Sequence, residues 1–142
     1  MVCLGNICRS PLAEGIVRHL IQEENLDWEV ASAGTGNWHV GQPADKRGIA
    51  IAKSYGYDIS KQRAQHFTIR MLDYYDQIFV MDKNNHKEVL KLAIDDEQRK
   101  KVHLFLTDEL EVTDPYFYDQ LFDPVFLTIE QRAKKLIEEL KS

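Results

Sequence analysis

The feature that most constrains this chain is the run Cys3-Leu4-Gly5-Asn6-Ile7-Cys8-Arg9-Ser10-Pro11, a short loop that opens directly into an amphipathic helix. A tight loop ahead of a helix turns its backbone N–H groups inward, and the helix dipole adds partial positive charge at the same place. Arg9 contributes a planar fork able to hold two oxygens of a dianion, and the positive field favours the reactive thiolate form of Cys3. Gly5 is expected to let the backbone turn back on itself. Ser10 suits the N-cap and Pro11 the first helical position, so the helix start is signalled independently of the chemistry. The bare Cys-x5-Arg spacing occurs by chance in many proteins, and two cysteines are ordinarily small buried apolar residues. The whole run is far more specific.

A chain of 142 residues makes one domain, spanning 1–142, with room for a real core. The net charge of −5 argues against nucleic acid or an anionic membrane as the main partner. No segment reaches the ~18 apolar residues of a membrane span. Both cysteines lie in the one loop, so they cannot form a disulfide framework, and a functional thiol suits a reducing cytoplasm. The histidines show no ligand spacing relative to the cysteines, so no metal and no cofactor is expected.

Apolar periodicity predicts a helix over 11–24, a short strand from Trp28 to Ser32, and a helix over 45–55 ended by Gly56. A short helix follows near 68–74, then the best buried strand, Gln77 to Met81. A helix over 84–92, a strand over 102–106 and a final helix from about Val125 to Leu140 complete the reading. Strands alternating with helices imply a parallel sheet covered on both faces, with ligands beyond the carboxyl ends of the strands.

The loop resembles the active-site loop of the low molecular weight protein tyrosine phosphatases, and the resemblance extends from Val2 to the last helix. It implies a three-layer αβα sandwich on a central four-stranded parallel sheet, with Cys3 as nucleophile and residues Leu4, Gly5, Asn6, Ile7, Cys8, Arg9 and Ser10 cradling the phosphate. Members carry an apolar central strand before the cysteine, whereas only Met1 and Val2 precede Cys3 here. The expectation is an internal methionine of a longer natural chain; the alternative is a truncated first strand, which would leave ladder groups unpaired on both neighbours.

Phosphate ester cleavage by a thiolate needs an acid for the departing oxygen. Asp-Pro pairs are common turn elements, and this chain has two, Asp114-Pro115 and Asp123-Pro124. The resemblance assigns the acid to Asp114, which opens an Asp-Pro-Tyr-aromatic run, and leaves Asp123 and Pro124 to start the last helix as N-cap and first residue. It also places Trp38, Tyr116 and Phe117 around the substrate cleft, where three aromatics would grip a phenyl ring. By the same resemblance Asn6 holds the loop's shape, Ser10 hydrogen-bonds the nucleophile, Ser32 belongs to the same network, and Cys8 captures the oxidised nucleophile.

Three departures stand out besides the short first strand. Gln62 replaces a frequent histidine, Tyr118 replaces a glycine, and the acid loop is about one residue shorter. The expected activity is hydrolysis of phosphotyrosine in a protein, or of a small aryl phosphate, by a cytoplasmic monomer or weak dimer. Rival readings are a phosphoarginine phosphatase, an arsenate reductase of the same fold, and a non-catalytic phosphate-binding paralogue. Against the second, no cysteine follows Cys8; against the first, Ile7 stands where a threonine is usual; against the third, Cys3, Arg9 and Asp114 are all present.

Overall fold

The computed structural model describes residues 1–142. The chain runs β1 (Val2–Cys3), α1 (Arg9–Glu23), β2 (Ala33–Gly34), α2 (Lys46–Ser54), α3 (Ile69–Tyr74), β3 (Ile78–Val80), α4 (Lys83–Leu90), α5 (Asp96–Lys100), β4 (Val102–Leu104) and α6 (Phe122–Lys141). A single 3-10 turn, Asp119–Leu121, leads into α6. The four strands are parallel in the order β2-β1-β3-β4, so β1 is central although it is only two residues long.

Alternation along the strands separates two cores. Val2, Ile78 and Val80 point to one face, with Phe67, Leu72 and Val89, whereas Cys3, Phe79 and Met81 point to the other, onto α1 and α6. Leu12, Ile16, Phe126, Ile129 and Ala133 form the interior of that larger core, and each is almost completely buried. The three-layer α/β sandwich read from the sequence is therefore present, with α1 and α6 packed together behind the sheet.

Trp28 to Ser32 does not form the strand expected of it. Met1 donates its amine to the Ala31 carbonyl at 3.0 Å and accepts from the Ala33 N–H at 3.0 Å, and the ladder stops there. None of the backbone N–H groups of Trp28 to Ser32 donates a hydrogen bond within the protein. The segment lacks a neighbour: a cavity of about 580 Å³, walled by Val30, Phe67, Tyr75, Phe79 and Ile137, lies upstream of β1, between this segment and β3.

Other boundaries shift by a residue or two, and some shifts are informative. Helix α1 begins at Arg9 with Cys8 at the cap position, so Ser10 and Pro11 are its second and third residues and not cap and first. Pro11 is tolerated there because first-turn N–H groups have no intrahelical partner. Helix α6 begins at Phe122, which puts Asp123 and Pro124 at its second and third positions, continuing the 3-10 turn. Helix α5 had no periodic apolar signal; it is a five-residue polar turn opened by Asp95, whose carboxylate accepts from the Gln98 N–H.

Candidate active site

The site sits beyond the carboxyl end of β1, where the chain leaves Cys3 and curls into α1. The curl is held by its carbonyls. Cys3 accepts from the Thr35 N–H at 2.9 Å, Leu4 from Gly36 at 2.8 Å, Ile7 from Asp45 at 2.9 Å and Cys8 from Leu12 at 3.4 Å. The N–H groups of Leu4, Gly5, Ile7 and Cys8, and the first-turn N–H groups of Arg9 and Ser10, donate to no protein acceptor. A ring of free donors at a helix N-terminus is what a tetrahedral oxyanion requires.

Asn6, and not Gly5, takes the left-handed backbone, with φ of 57°. Asparagine tolerates that region, and here its side chain holds the conformation from both ends: Nδ2 donates to Ser10 Oγ at 2.8 Å and Ser32 Oγ at 2.9 Å, while Oδ1 accepts from the Gln65 N–H at 2.9 Å. Gly5 matters for space, since a Cβ there would come within 3.0 Å of the His39 ring. Gly34 is the tighter restriction: a Cβ would meet the Leu4 carbonyl at 2.9 Å and the Asn6 nitrogen at 3.1 Å.

Counting protons fixes the polarity of the network. Asn6 Nδ2 spends both hydrogens on Ser10 and Ser32. Ser32 therefore gives its own proton to Glu14 Oε1 at 2.8 Å, and Ser10 is free to donate to Cys3 Sγ at 3.0 Å. The Asn6 N–H adds a second donor to Cys3 Sγ at 3.3 Å. Two donors thus converge on one buried sulfur, and Ser10, inside the first turn of α1, serves that sulfur and not the helix terminus. Glu14, only 8 % exposed, anchors the far end and is itself held by Arg18 at 2.8 Å. Gln62 takes no part; its amide reaches the Pro11 carbonyl at 3.1 Å, and its own oxygen is buried without a partner. Cys8 shares the cavity, but burial first, and then the negative Asp45, push its thiol far above the ordinary range.

Arg9 is nearly sealed, at 3 % exposed. Its NH1 donates to Asp82 Oδ2 at 2.7 Å and to the Val112 carbonyl at 3.0 Å, and its NH2 lies 3.7 Å from Asp114 Oδ2. Burial works against its charge, but Cys3, Asp82 and Asp114 outweigh that and hold the guanidinium above its ordinary range. Asp114 faces the cavity and accepts from the Tyr116 N–H at 3.1 Å, in a local turn. Asp123 is elsewhere, accepting from the Tyr55 hydroxyl at 2.7 Å. The two Asp-Pro pairs are thus told apart by position alone.

The cleft above the loop encloses about 170 Å³. Trp38, Tyr116 and Phe117 line it, joined by Leu4 and by His39, which the sequence reading did not single out. The larger cavity by the Met1 amine is at the opposite end of β1, away from every group just described. Asp82, Glu14 and Gly34 were also missed. Only Asp82 carried a usable signal: it is a carboxylate just past the carboxyl end of the most apolar strand, where ligand-facing polar groups belong in such folds. No group of three or more His, Cys, Asp or Glu side chains is placed to hold a metal ion, and no helix is long and apolar enough to cross a membrane.

Comparison with known proteins agrees with this architecture. The family model described as low molecular weight phosphotyrosine protein phosphatase matches residues 1–142. Low molecular weight protein-tyrosine phosphatase A of Mycobacterium tuberculosis is 35 % identical over 136 residues, covering 91 % of this chain and 82 % of that protein. A crystal structure of a protein tyrosine phosphatase from Entamoeba histolytica, with Hepes in its active site, superposes with a TM-score of 0.90 at 34 % identity, covering 99 % of this chain and 94 % of the other. Vibrio vulnificus Wzb in complex with benzylphosphonate gives 0.87 at 30 % identity, covering 97 % and 94 %. The chain belongs to the low molecular weight phosphotyrosine protein phosphatase family.

Proposed function

We propose that this protein hydrolyses phosphotyrosine and related aryl phosphate monoesters by a two-step, cysteine-dependent mechanism. The observation that carries the reading is the convergence on one cleft of a doubly hydrogen-bonded Cys3 sulfur, six unpaired N–H groups, the Arg9 fork and the Asp114 carboxylate. The Cys3 thiolate attacks phosphorus while the loop amides and Arg9 bind the non-bridging oxygens. The P–O bond to the phenol breaks, and Asp114 gives its proton to the departing oxygen. Asp114, now a carboxylate, then takes a proton from water as that water attacks phosphorus; the P–S bond breaks and inorganic phosphate and thiolate are regenerated. The family relationship and the benzylphosphonate held by the Vibrio protein support an aryl substrate.

The rims fit a flat ring: Trp38 is 65 % exposed and Phe117 80 % exposed, large apolar faces with no core partner. Peroxide would convert the Cys3 thiolate to a sulfenic acid, and the Cys8 thiol would then displace water to give a disulfide. The acidic surface and the reactive thiol favour a cytoplasmic protein acting as a monomer or weak dimer, away from nucleic acid and membrane.

The test is turnover of phosphotyrosine peptide, para-nitrophenyl phosphate and a small alkyl phosphate by the native chain and by Trp38→Ala and Tyr116→Ala. Loss of the aryl substrates beyond the alkyl one is expected. Equal losses would make these aromatics structural and remove the basis for an aryl preference.

A further inference from the structure

We propose that Arg47, on the first turn of α2, is the positioning residue that fixes the acid loop over the Cys3 thiolate. The inference rests on the reading of Asp114 as the proton donor. Its basis is a continuous set of contacts from the phosphate loop to the acid. The Ile7 carbonyl accepts from the Asp45 N–H at 2.9 Å. Both Asp45 carboxylate oxygens accept from Arg47, from Nε at 3.0 Å and from NH2 at 2.8 Å. The same NH2 also donates to the Tyr116 carbonyl at 2.8 Å, and NH1 donates to Asp119 Oδ1 at 2.7 Å. The Tyr116 N–H in turn donates to the Asp114 carboxylate at 3.1 Å. One planar fork therefore joins the residue beside the phosphate loop to the residue beside the acid.

Besides Arg47, the loop is held by the burial of Pro115 and by the Tyr118 N–H, which donates to the Pro115 carbonyl at 3.0 Å. Upstream, Val112 is tied to the sheet through the Met81 carbonyl. Downstream, Phe117 and Tyr118 are exposed, and the chain is not buried again until Phe122, over whose ring the Arg47 guanidinium lies at 4.6 Å. The shortened loop with Tyr118 in place of glycine gains its register from this clamp. Lysine cannot replace it, because a point charge cannot serve Asp45, Tyr116 and Asp119 at once. Displacing a catalytic group by about an ångström costs up to ~10²-fold in rate, so a clamp outside the cleft has kinetic leverage.

The experiment is a double-mutant cycle with Asp114, read on two esters whose leaving groups differ in need of protonation. Arg47→Gln and Arg47→Lys should lower kcat for phenyl phosphate by about 10- to 100-fold and for para-nitrophenyl phosphate only slightly, with inhibition by inorganic phosphate unchanged. On an Asp114→Asn background, Arg47→Gln should cost almost nothing more, since the group it positions is gone. Asp119→Ala, at a largely exposed site that leaves the Asp45 pair intact, should show a smaller loss with the same leaving-group bias even if Arg47→Gln fails to fold. Equal losses on both esters, or a full additional loss on the Asp114→Asn background, would overturn the role of Arg47 and leave Asp114 untouched. If Asp114→Asn itself shows no leaving-group bias, the acid assignment falls first and the clamp with it.

Discussion

Asp82→Asn is the sharpest perturbation of the buried charge at the site. Asparagine keeps the shape and keeps an oxygen for the Asn85 N–H, which Asp82 caps at 2.7 Å, so α4 retains its start. What disappears is the negative charge 2.7 Å from Arg9 NH1. Breaking a buried ion pair from one side costs about 3–5 kcal/mol, because the remaining charge stays buried. The low end applies here: the Asp82 side chain is 21 % exposed, and Arg9 keeps the Val112 carbonyl at 3.0 Å and Asp114 at 3.7 Å. For 142 residues the unfolding entropy near the midpoint is about 0.3 kcal/mol/K, so about 3 kcal/mol is a fall of ~10 °C in Tm. Phosphate should narrow the gap, since the dianion supplies the charge that Arg9 has lost and binds without competition from Asp82. The assay is thermal unfolding at neutral pH with and without saturating phosphate. A Tm within about 2 °C of the native chain, or equal stabilisation of both proteins by phosphate, would refute the reasoning.

Asp123→Asn should be nearly silent in kinetics, while Asp114→Asn loses rate mainly with poor leaving groups; steady-state rates on a phenol series decide between the two Asp-Pro pairs. Because the Cys8 thiol is pushed far up, its thiolate fraction rises about tenfold per pH unit across the neutral range, so disulfide formation after brief peroxide treatment should accelerate with pH. Peroxide inactivation should be reversible by dithiothreitol in the native chain and irreversible in Cys8→Ser; full recovery of that variant would show that Cys8 protects nothing. Burial pushes the Met1 amine down to about 6 from 8.0, so the unfolded chain binds a proton that the folded one refuses, and stability should fall as pH drops from 8 to 6. Four alternating apolar residues added before Met1 should remove that slope and, by filling the cavity upstream of β1, gain roughly 2–5 kcal/mol in denaturant unfolding after the cost of ordering them. An extension that leaves the midpoint unchanged would show that the cavity does not take a strand.

The layers and the site were legible for different reasons. Gln77 to Met81 and the last helix were readable because their side chains alternate or repeat with the period of one regular element, and Phe79, Met81, Phe126 and Ile129 are buried as that period demands. Cys3, Arg9 and the cradle were readable because loop chemistry is local in sequence. Trp28 to Ser32 misled because a strand is a property of its neighbours: the alternation is there, but the partner is too short. Ser10 misled in another way, since it lies inside the first turn of α1 and its hydroxyl serves the sulfur and not the helix terminus. Asp82, Glu14 and Arg47 act across 73, 18 and 69 residues of separation, through Arg9, Ser32 and the Tyr116 carbonyl respectively. No local pattern encodes such pairs.

The central claim is that Cys3 carries the phosphoryl group between two half-reactions, and acid-quenched turnover analysed by mass spectrometry tests it directly. With an aryl phosphate in excess, a phosphate adduct is expected on the peptide that contains Cys3, accumulating further in Asp114→Asn with para-nitrophenyl phosphate, where hydrolysis of the intermediate loses its base. Cys3→Ser should show neither adduct nor turnover while still binding phosphate in the amide cradle. An adduct on any other residue, or turnover by Cys3→Ser near the native rate, would contradict the account.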